Sequence, residues 1–465
     1  MNILNKNLYK KLKTIGLSIS ILGTASIQAN DYFSDKVQKL KWENLDVIYI
    51  EDNRFPTYAL GVYFADGALG DGEIKGSIEA SLDYLNLGTR RFSRKEIADN
   101  IEFFGVSMGS EVTHEYSSYA VSGLVKDIIP TVKKVCHLFQ DATFPRTELK
   151  KEKKRIISSL ENSAQNPGFL ASRAFREISL EGTPFSYPVG GKIRDIKRWD
   201  SKILKAKLNY LNEKVKKRIY LTGPKEILNI KDIIMRDCGW KGTGQFVRNV
   251  EFDYSGIKKG PHLTLVTLES ANQAQVRIGK TLEGKENDST EIKKLASNYL
   301  GGGFTSQLMN VLRVENGLTY SVGAFAGMQK HYGRSGIYTS TNIDTLNKLL
   351  TKTKETLEKA TSGKIDERGF KLTKGSLAGG YPFAFESSRA LLAQLMQLDH
   401  LGKEYSTLTQ YPEKIRSFTE KDLVDEMKNT FDWNKQDILI LAPAKSKKSM
   451  EEFGTVKVRS YKHYL

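Results

Sequence analysis

Arg313 and Tyr320 stand seven residues apart in a glycine-led stretch, 301–325, GGGFTSQLMNVLRVENGLTYSVGAF. A guanidinium can fork to a carbonyl oxygen. A phenol can donate a hydrogen bond to an oxyanion as it forms. The same residues also have an ordinary use: an Arg in a last helical turn complements the helix dipole, and Tyr favours strands. The rest of the chain decides between the two readings.

The elements that must position the pair are legible. Leu308, Met309 and Leu312 recur at helical spacing over 305–314, and Asn316-Gly317 supplies a C-terminal stop. Residues 318–326 then alternate, with Leu318, Tyr320, Val322 and Ala324 on one face, which predicts a strand. Arg313 leaves the last turn of a helix, and Tyr320 enters the next strand. Gly301, Gly302, Gly303 and Phe304 form the loop beside them, a candidate substrate-binding element.

A chain of 465 residues, 39% hydrophobic, is long enough for two or three domains with sizeable cores. The first 29 residues contain Lys6, Lys10, Lys11 and Lys13 and no acid, followed by an apolar run over about 15–27. This reads as a secretory signal peptide cleaved near Ala25 or Ala29. The run is short for a membrane span, and no later segment is apolar enough for one. The mature protein is expected to be exported, into the periplasm of a cell with two membranes. The net charge of +17 comes from lysines mixed with acids, as in 149–155 and 211–217, with no nucleic-acid motif. A solvated basic surface explains it better than a nucleic-acid partner. Cys136 lies in an apolar helical pattern with Val132, Val135 and Phe139, so a buried thiol is expected. An oxidising compartment permits a bridge to Cys238, which spacing alone leaves open.

The mature chain repeats itself. A strand near 58–65, helices at 76–87 and 94–104, strands near 106–112 and 116–124, several helices and a strand at 217–222 recur from about residue 263. The offset holds at about 214–218 residues, which signals duplication. Strands come as hairpins with long helices beside them. The expected fold class is α+β: two homologous lobes, each a mixed, mainly antiparallel sheet with helices packed on one face. The expected boundaries are 30–240 for the N-terminal lobe, 241–262 for the linker and 263–465 for the C-terminal lobe.

Duplication, the GGGF–helix–Arg–x6–Tyr pattern and GTPFSYPVGG at 182–191 together resemble the pitrilysin/insulinase (inverzincin) metallopeptidases. The resemblance implies half of a clam-shell chamber. It also implies an inverted zinc motif, H-x-x-E-H, on a first-lobe helix ending in Gly-Thr, with a further Glu ligand downstream. Here that helix reads Gly76-Ser-Ile-Glu79-Ala-Ser-Leu82-Asp83, running on to Gly88-Thr89. Glu79 and Asp83 occupy the histidine positions, Leu82 the general-base position and Ser159 the third-ligand position. All four are changed. With Leu82 in place, Ile78, Leu82 and Leu85 make an unbroken apolar stripe. The six histidines are scattered, with no two on one helical turn.

The second-lobe signature is intact, whereas the repeat-equivalent positions of the first lobe, about 98 and 105, hold Ala98 and Gly105. The family includes two-chain enzymes in which one subunit carries the zinc motif and the other the Arg/Tyr pair. The resemblance therefore implies a non-catalytic, substrate-binding subunit of an exported heterodimeric zinc endopeptidase. Arg313 and Tyr320 would position substrate and stabilise the oxyanion. No cofactor is expected on this chain, and zinc is expected on a homologous partner carrying H-x-x-E-H. The alternative is a structural or peptide-binding protein of the same fold with no part in catalysis.

Overall fold

The computed structural model describes residues 36–240, 244–257, 260–284 and 289–465. The signal peptide expected over 1–29 lies outside the described residues, as does part of the stretch read as a linker.

Two sheets organise the molecule. The first contains β1 (Val37–Trp42), β2 (Leu45–Glu51), β3 (Thr57–Phe64), β4 (Ser107–Val112), β5 (Ser117–Leu124) and β6 (Lys217–Gly223), in the order β1-β2-β6-β3-β5-β4. The second contains β7 (His262–Thr267), β8 (Gln273–Gly279), β9 (Thr281–Glu283), β10 (Val322–Met328), β11 (Tyr332–Asn342), β12 (Asp437–Ala442) and β13 (Val456–Ser460). Its order is β10-β11-β8-β12-β7-β13, with β9 alongside β11. Five strands therefore repeat in one topology, β2-β6-β3-β5-β4 as β7-β12-β8-β11-β10. Both copies place their parallel pair first, β2 with β6 and β7 with β12. Only the outermost strands differ: β1 joins antiparallel from the N-terminal side, β13 parallel from the C-terminal side.

The helices repeat as well. The first half has α1 (Ser77–Asp83), α2 (Arg94–Phe103), α3 (Ile128–Asp141), α4 (Arg146–Glu161), α5 (Pro167–Ser179), α6 (Ile193–Arg198), α7 (Ser201–Glu213) and α8 (Lys231–Asp237). The second has α9 (Thr290–Gly301), α10 (Leu346–Thr361), α11 (Glu367–Gly380), α12 (Ser388–His400), α13 (Thr407–Ser417) and α14 (Glu420–Thr430). Side chains alternate across a strand, so each sheet presents two faces. Val47 and Tyr49 enter the core shared with α1, α3 and α7, while Ile48 and Ile50 point the other way.

Each half of the chain lends one helix to the opposite face of the other half's sheet. Leu391, Leu392 and Leu395 of α12 pack on Ile48, Ile50, Ala59 and Tyr220 of the first sheet. Burying each leucine contributes about 2 kcal/mol. Asp399 of α12 accepts hydrogen bonds from Arg218 (2.6 Å), Tyr220 (2.5 Å) and Tyr405 (2.8 Å). Reciprocally, Leu170, Ala174 and Phe175 of α5 pack on Val266, Leu439 and Leu441 of the second sheet. There Arg277 donates to the Gly168 carbonyl (2.9 Å) and to Ser172 Oγ (3.2 Å).

The cysteine expectation is corrected. Cys136 of α3 is not a free thiol but is bonded to Cys238, the C-cap of α8. The apolar pattern around Cys136 does bury it, and Cys238 is buried beside it. Packing α8 against α3 brings together cysteines 102 residues apart, which sequence spacing cannot show.

Candidate functional site

The stretch around Arg313 departs from regular structure where the pair sits. Ser306 closes the turn after the glycines, and its hydroxyl donates to the Gly303 carbonyl (2.7 Å). The following helix widens into a π-helix over Met309–Glu315. Such widened turns are rare and concentrate at functional sites. The Asn316 side-chain amide donates to the Val311 carbonyl (2.9 Å), and the Gly317 N–H donates to the Arg313 carbonyl (3.0 Å). Gly317 has φ of 61°, the left-handed conformation that costs glycine nothing.

The strand expected from 318 begins at Val322 instead. Leu318 and Thr319 are both buried, so the two-residue alternation fails at its start. Side chains of β11 hold this irregular segment: Thr341 donates to the Leu318 carbonyl (2.7 Å) and Thr339 to the Ser321 carbonyl (2.8 Å). Tyr320 therefore stands out from a clamped loop and is 83% exposed. The Arg313 guanidinium lies 4.8 Å from the Tyr320 ring centre and 5.6 Å from that of Phe304. Such a cation–π contact at a surface is worth about 0.5–1 kcal/mol. It aligns the two side chains without consuming the phenol oxygen or the planar guanidinium edge. Phe304, Val314 and Tyr320 are each more than two-thirds exposed, which makes an apolar patch around the cation.

The glycines divide in role. Gly301 ends α9 and is buried against β10; a Cβ there would lie 2.5 Å from the Ala324 nitrogen. It serves close packing of helix on strand. Gly302, Gly303 and Phe304 are exposed beside the pair. The repeat equivalence is also corrected. Gly105 (φ 57°) ends α2 as Gly317 ends the π-helix, so counting back sets Ile101, not Ala98, against Arg313. One residue separates Gly105 from β4, whereas four separate Gly317 from β10, so Tyr320 has no first-lobe counterpart.

The altered motif on α1 does not fit a zinc ion. Leu82 is fully buried with Ile78 and Leu85, so the general-base position faces the core. Asp83 accepts a hydrogen bond from Ser110. Ser159 is exposed on the last turn of α4. Glu79 lies against the loop of 182–191: a Cβ on Gly190 would sit 2.6 Å from its carboxylate oxygen. Burial, then the charges of Asp83 and Asp71, push the Glu79 carboxyl up to about 7. Burial likewise raises that of Asp83. Two proximal acids that resist ionising together, without histidine, suit protonation better than metal binding. Among the described residues no group of three or more His, Cys, Asp or Glu side chains is arranged to hold a metal ion. Asp71 organises the helix start, accepting from the Gly76 and Ile78 amides (both 2.7 Å) and from Ser77 Oγ (3.0 Å).

Tertiary structure also joins residues that the sequence keeps far apart. Glu115, in the β4–β5 turn, accepts from the Lys330 and His331 amides and lies 2.5 Å from His331 Nδ1. Its other oxygen is 3.4 Å from His400 Nε2 on α12. Burial alone would raise the Glu115 carboxyl, but the hydrogen bond from His331 and the closeness of both histidines together hold it down at about 2. This cluster ties the two lobes and α12 at one point. No local spacing signals it.

The comparisons follow the same division. The family model described as "Peptidase M16 inactive domain" matches residues 239–377, the span that holds 301–320. A Bacillus subtilis protein named "Uncharacterized zinc protease YmxG" is 23% identical over 78% of this chain and 88% of its own length. A Helicobacter pylori protein named "Non-peptidase homolog YmxG" is 24% identical over 84% of this chain and 90% of its own. Among solved structures, a peptidase M16 inactive domain from Pseudomonas fluorescens superposes with a TM-score of 0.77, at 20% identity, over 88% of this chain and 98% of that one. A protease from Helicobacter pylori superposes with a TM-score of 0.72 at 16% identity, over 88% and 99%. The two-lobe fold, the altered α1 motif and these matches agree: the chain resembles the peptidase M16 family, and its residues 239–377 match the model of that family's inactive domain.

Proposed function

We propose that this chain is the substrate-positioning, non-catalytic subunit of an exported two-chain zinc endopeptidase acting on peptides or unfolded polypeptides. The observation that carries the reading is the contrast between the two sites. A half-buried Arg313 is aligned with an exposed Tyr320 beside exposed glycines, while Leu82 has closed the metal-motif helix into the core. In this reading Arg313 forks to a carbonyl of the bound peptide, and the Tyr320 hydroxyl donates to the oxyanion formed there. β10, two residues beyond Tyr320, is an edge strand of its sheet. An extended peptide can add to such an edge through main-chain hydrogen bonds, which tolerates many sequences. The homologous partner carries the H-x-x-E-H motif and the zinc. The Cys136–Cys238 bridge suits an oxidising compartment and supports export.

The test is peptide hydrolysis by the purified chain, by an H-x-x-E-H homologue from the same cell, and by the mixture, with metal analysis of each. Activity in the mixture alone, with zinc on the partner alone, is the expected result. Chelator-sensitive hydrolysis by this chain alone would overturn the reading. A stable mixture whose activity ignores Arg313→Ala would favour the structural alternative.

A further inference from the structure

A cavity of about 630 Å³, partly open to solvent, lies between the lobes, and neither Arg313 nor Tyr320 lines it. Its size is that of an ordinary ligand site. Its walls come from the β4–β5 turn, α5, α9, the β10–β11 hairpin, α12 and α13. Four cationic side chains (Arg176, Lys294, Arg334 and Lys403) and one anionic side chain (Glu291) line it. On one wall the charges are matched: Lys403 lies 3.7 Å from Glu291, and Lys294 rests over the Tyr411 ring.

The other wall is different. Arg334 is flanked by Phe175 (5.6 Å) and Phe325 (5.9 Å), and its Nε donates to Ser179 Oγ (3.1 Å). These contacts fix the guanidinium plane and leave its two terminal nitrogens without a hydrogen-bond partner among the described residues. Arg176 lines the same wall, and no ion pair or hydrogen bond engages its guanidinium among the described residues. Burial, then the charge of Arg176, lowers the Arg334 pKa to about 10. The acids nearest this wall are accounted for. Glu115 is engaged by His331 and His400, and Glu79, which burial pushes up to about 7 despite the nearby charges of Arg173 and Arg176, forms no ion pair with Arg176 among the described residues. His114 adds no charge: its Nε2 faces the Tyr187 carbonyl (2.9 Å), which can only accept, so Nδ1 accepts from the Tyr332 hydroxyl (3.1 Å). Burial pushes the His114 pKa down to about 4, so the ring is neutral at pH 7. Two neighbouring guanidiniums, one of them oriented and both lacking a carboxylate, make a wall completed by an anion with two oxygens in one plane.

We infer that this cavity is a carboxylate-binding subsite, in which Arg334 and Arg176 receive the C-terminal carboxylate of a short peptide. The cationic wall stands on its own geometry; the choice of a peptide rests on the peptide-binding reading above. The subsite gives the protein a means of anchoring a chain by its end, away from the Arg313–Tyr320 pair.

The experiment is calorimetric titration of the isolated mature chain with tetra-alanine and with its C-terminal amide, and with inorganic phosphate as a competing anion. The free acid is expected to bind at least about tenfold more tightly than the amide, as charge-assisted bonds to Arg require. Arg176→Gln, a change at an exposed position, and Arg334→Gln should each remove most of that difference. Arg334→Lys should restore part of it, which separates lost charge from lost packing. Equal binding of acid and amide, or binding of phosphate with both peptides inert, would overturn the inference. So would acid preference that survives both substitutions. Because no partner is present, failure here leaves the two-chain hydrolysis test untouched.

Discussion

The helix α2 and the π-helix over Met309–Glu315 occupy the same place in the two lobes and end differently. In the first lobe the Gly105 N–H donates to the Glu102 carbonyl and the Val106 N–H to the Ile101 carbonyl, both at 3.1 Å. That is a Schellman end, and β4 starts one residue after Gly105. In the second lobe the Gly317 N–H reaches Arg313 and the Leu318 N–H reaches Leu312, so the last turn is wider. Four residues then pass before β10. Both ends use a glycine in the left-handed region, and both feed the same edge of the same sheet topology. The fold therefore asks only for the glycine. The wide turn, the clamped loop, the Arg and the exposed Tyr are additions, and additions that a fold does not need point to a role beyond folding.

The largest expected effect tests that conclusion directly. In the reconstituted pair, Arg313→Ala and Tyr320→Phe should each lower kcat about 100-fold, the scale of removing an oxyanion or positioning group. Ile101→Ala, the first-lobe match of Arg313, should leave kcat unchanged. Equal effects at 101 and 313 would reduce the contrast to a difference in folding.

A second contrast is the staple. The bridge between α3 and α8 belongs to the first lobe, and the chain has two cysteines in all, so the second lobe has none. Cys136→Ser should lower stability by about 2–4 kcal/mol, read as a lower thermal midpoint. Hydrogen exchange should rise first in α3 and α8. Uniform loss across both lobes would mean that the exchanged helices α5 and α12 make the lobes one cooperative unit.

Glu79 supplies the pH test. Its folded pKa of about 7 lies above its ordinary value of 4.5, so the native state holds the proton longer than the unfolded chain. The group is neutral to stability below about pH 4.5. It destabilises progressively as pH rises through about 7. Glu79→Gln should therefore match the wild type at pH 4 and exceed it by about 1–2 kcal/mol at pH 8. Equal stability at both pH values would show the carboxyl to be less confined than its contact with Gly190 implies. The smallest effect compares the two glycines. Gly105→Ala and Gly317→Ala should each cost about 1 kcal/mol, the strain of a left-handed residue with a Cβ. Only the second should also lower activity of the pair, because only it displaces Arg313.

Much of the fold is legible in the chain. The hairpin pattern and the Ile78–Leu82–Leu85 stripe depend on local periodicity, and the structure buries all three residues of the stripe. The Ser93–Glu96 capping box is present with both of its bonds. β10 starts four residues after the alternation begins because Leu318 and Thr319 are both buried by β11, a partner that no local pattern reveals. The π-helix was hidden for a similar reason: its widened turn is fixed by the Asn316 side chain and the clamp on Leu318.

The sequence by itself determined the duplication, the loss of the metal-binding residue types, the presence of Arg and Tyr at a set spacing and the glycine stops. These follow from residue identity and from short-range periodicity, which act within a few residues. Only the tertiary structure decided that Cys136 meets Cys238, that α5 and α12 cross to the opposite lobes, and that Glu115 lies between His331 and His400. It alone placed Arg176 and Arg334 on one wall of a shared cavity. Each of these joins segments about a hundred residues or more apart, or sets two elements on one surface. Burial and hydrogen-bond satisfaction across the whole chain select such contacts, and no local window of the sequence contains them.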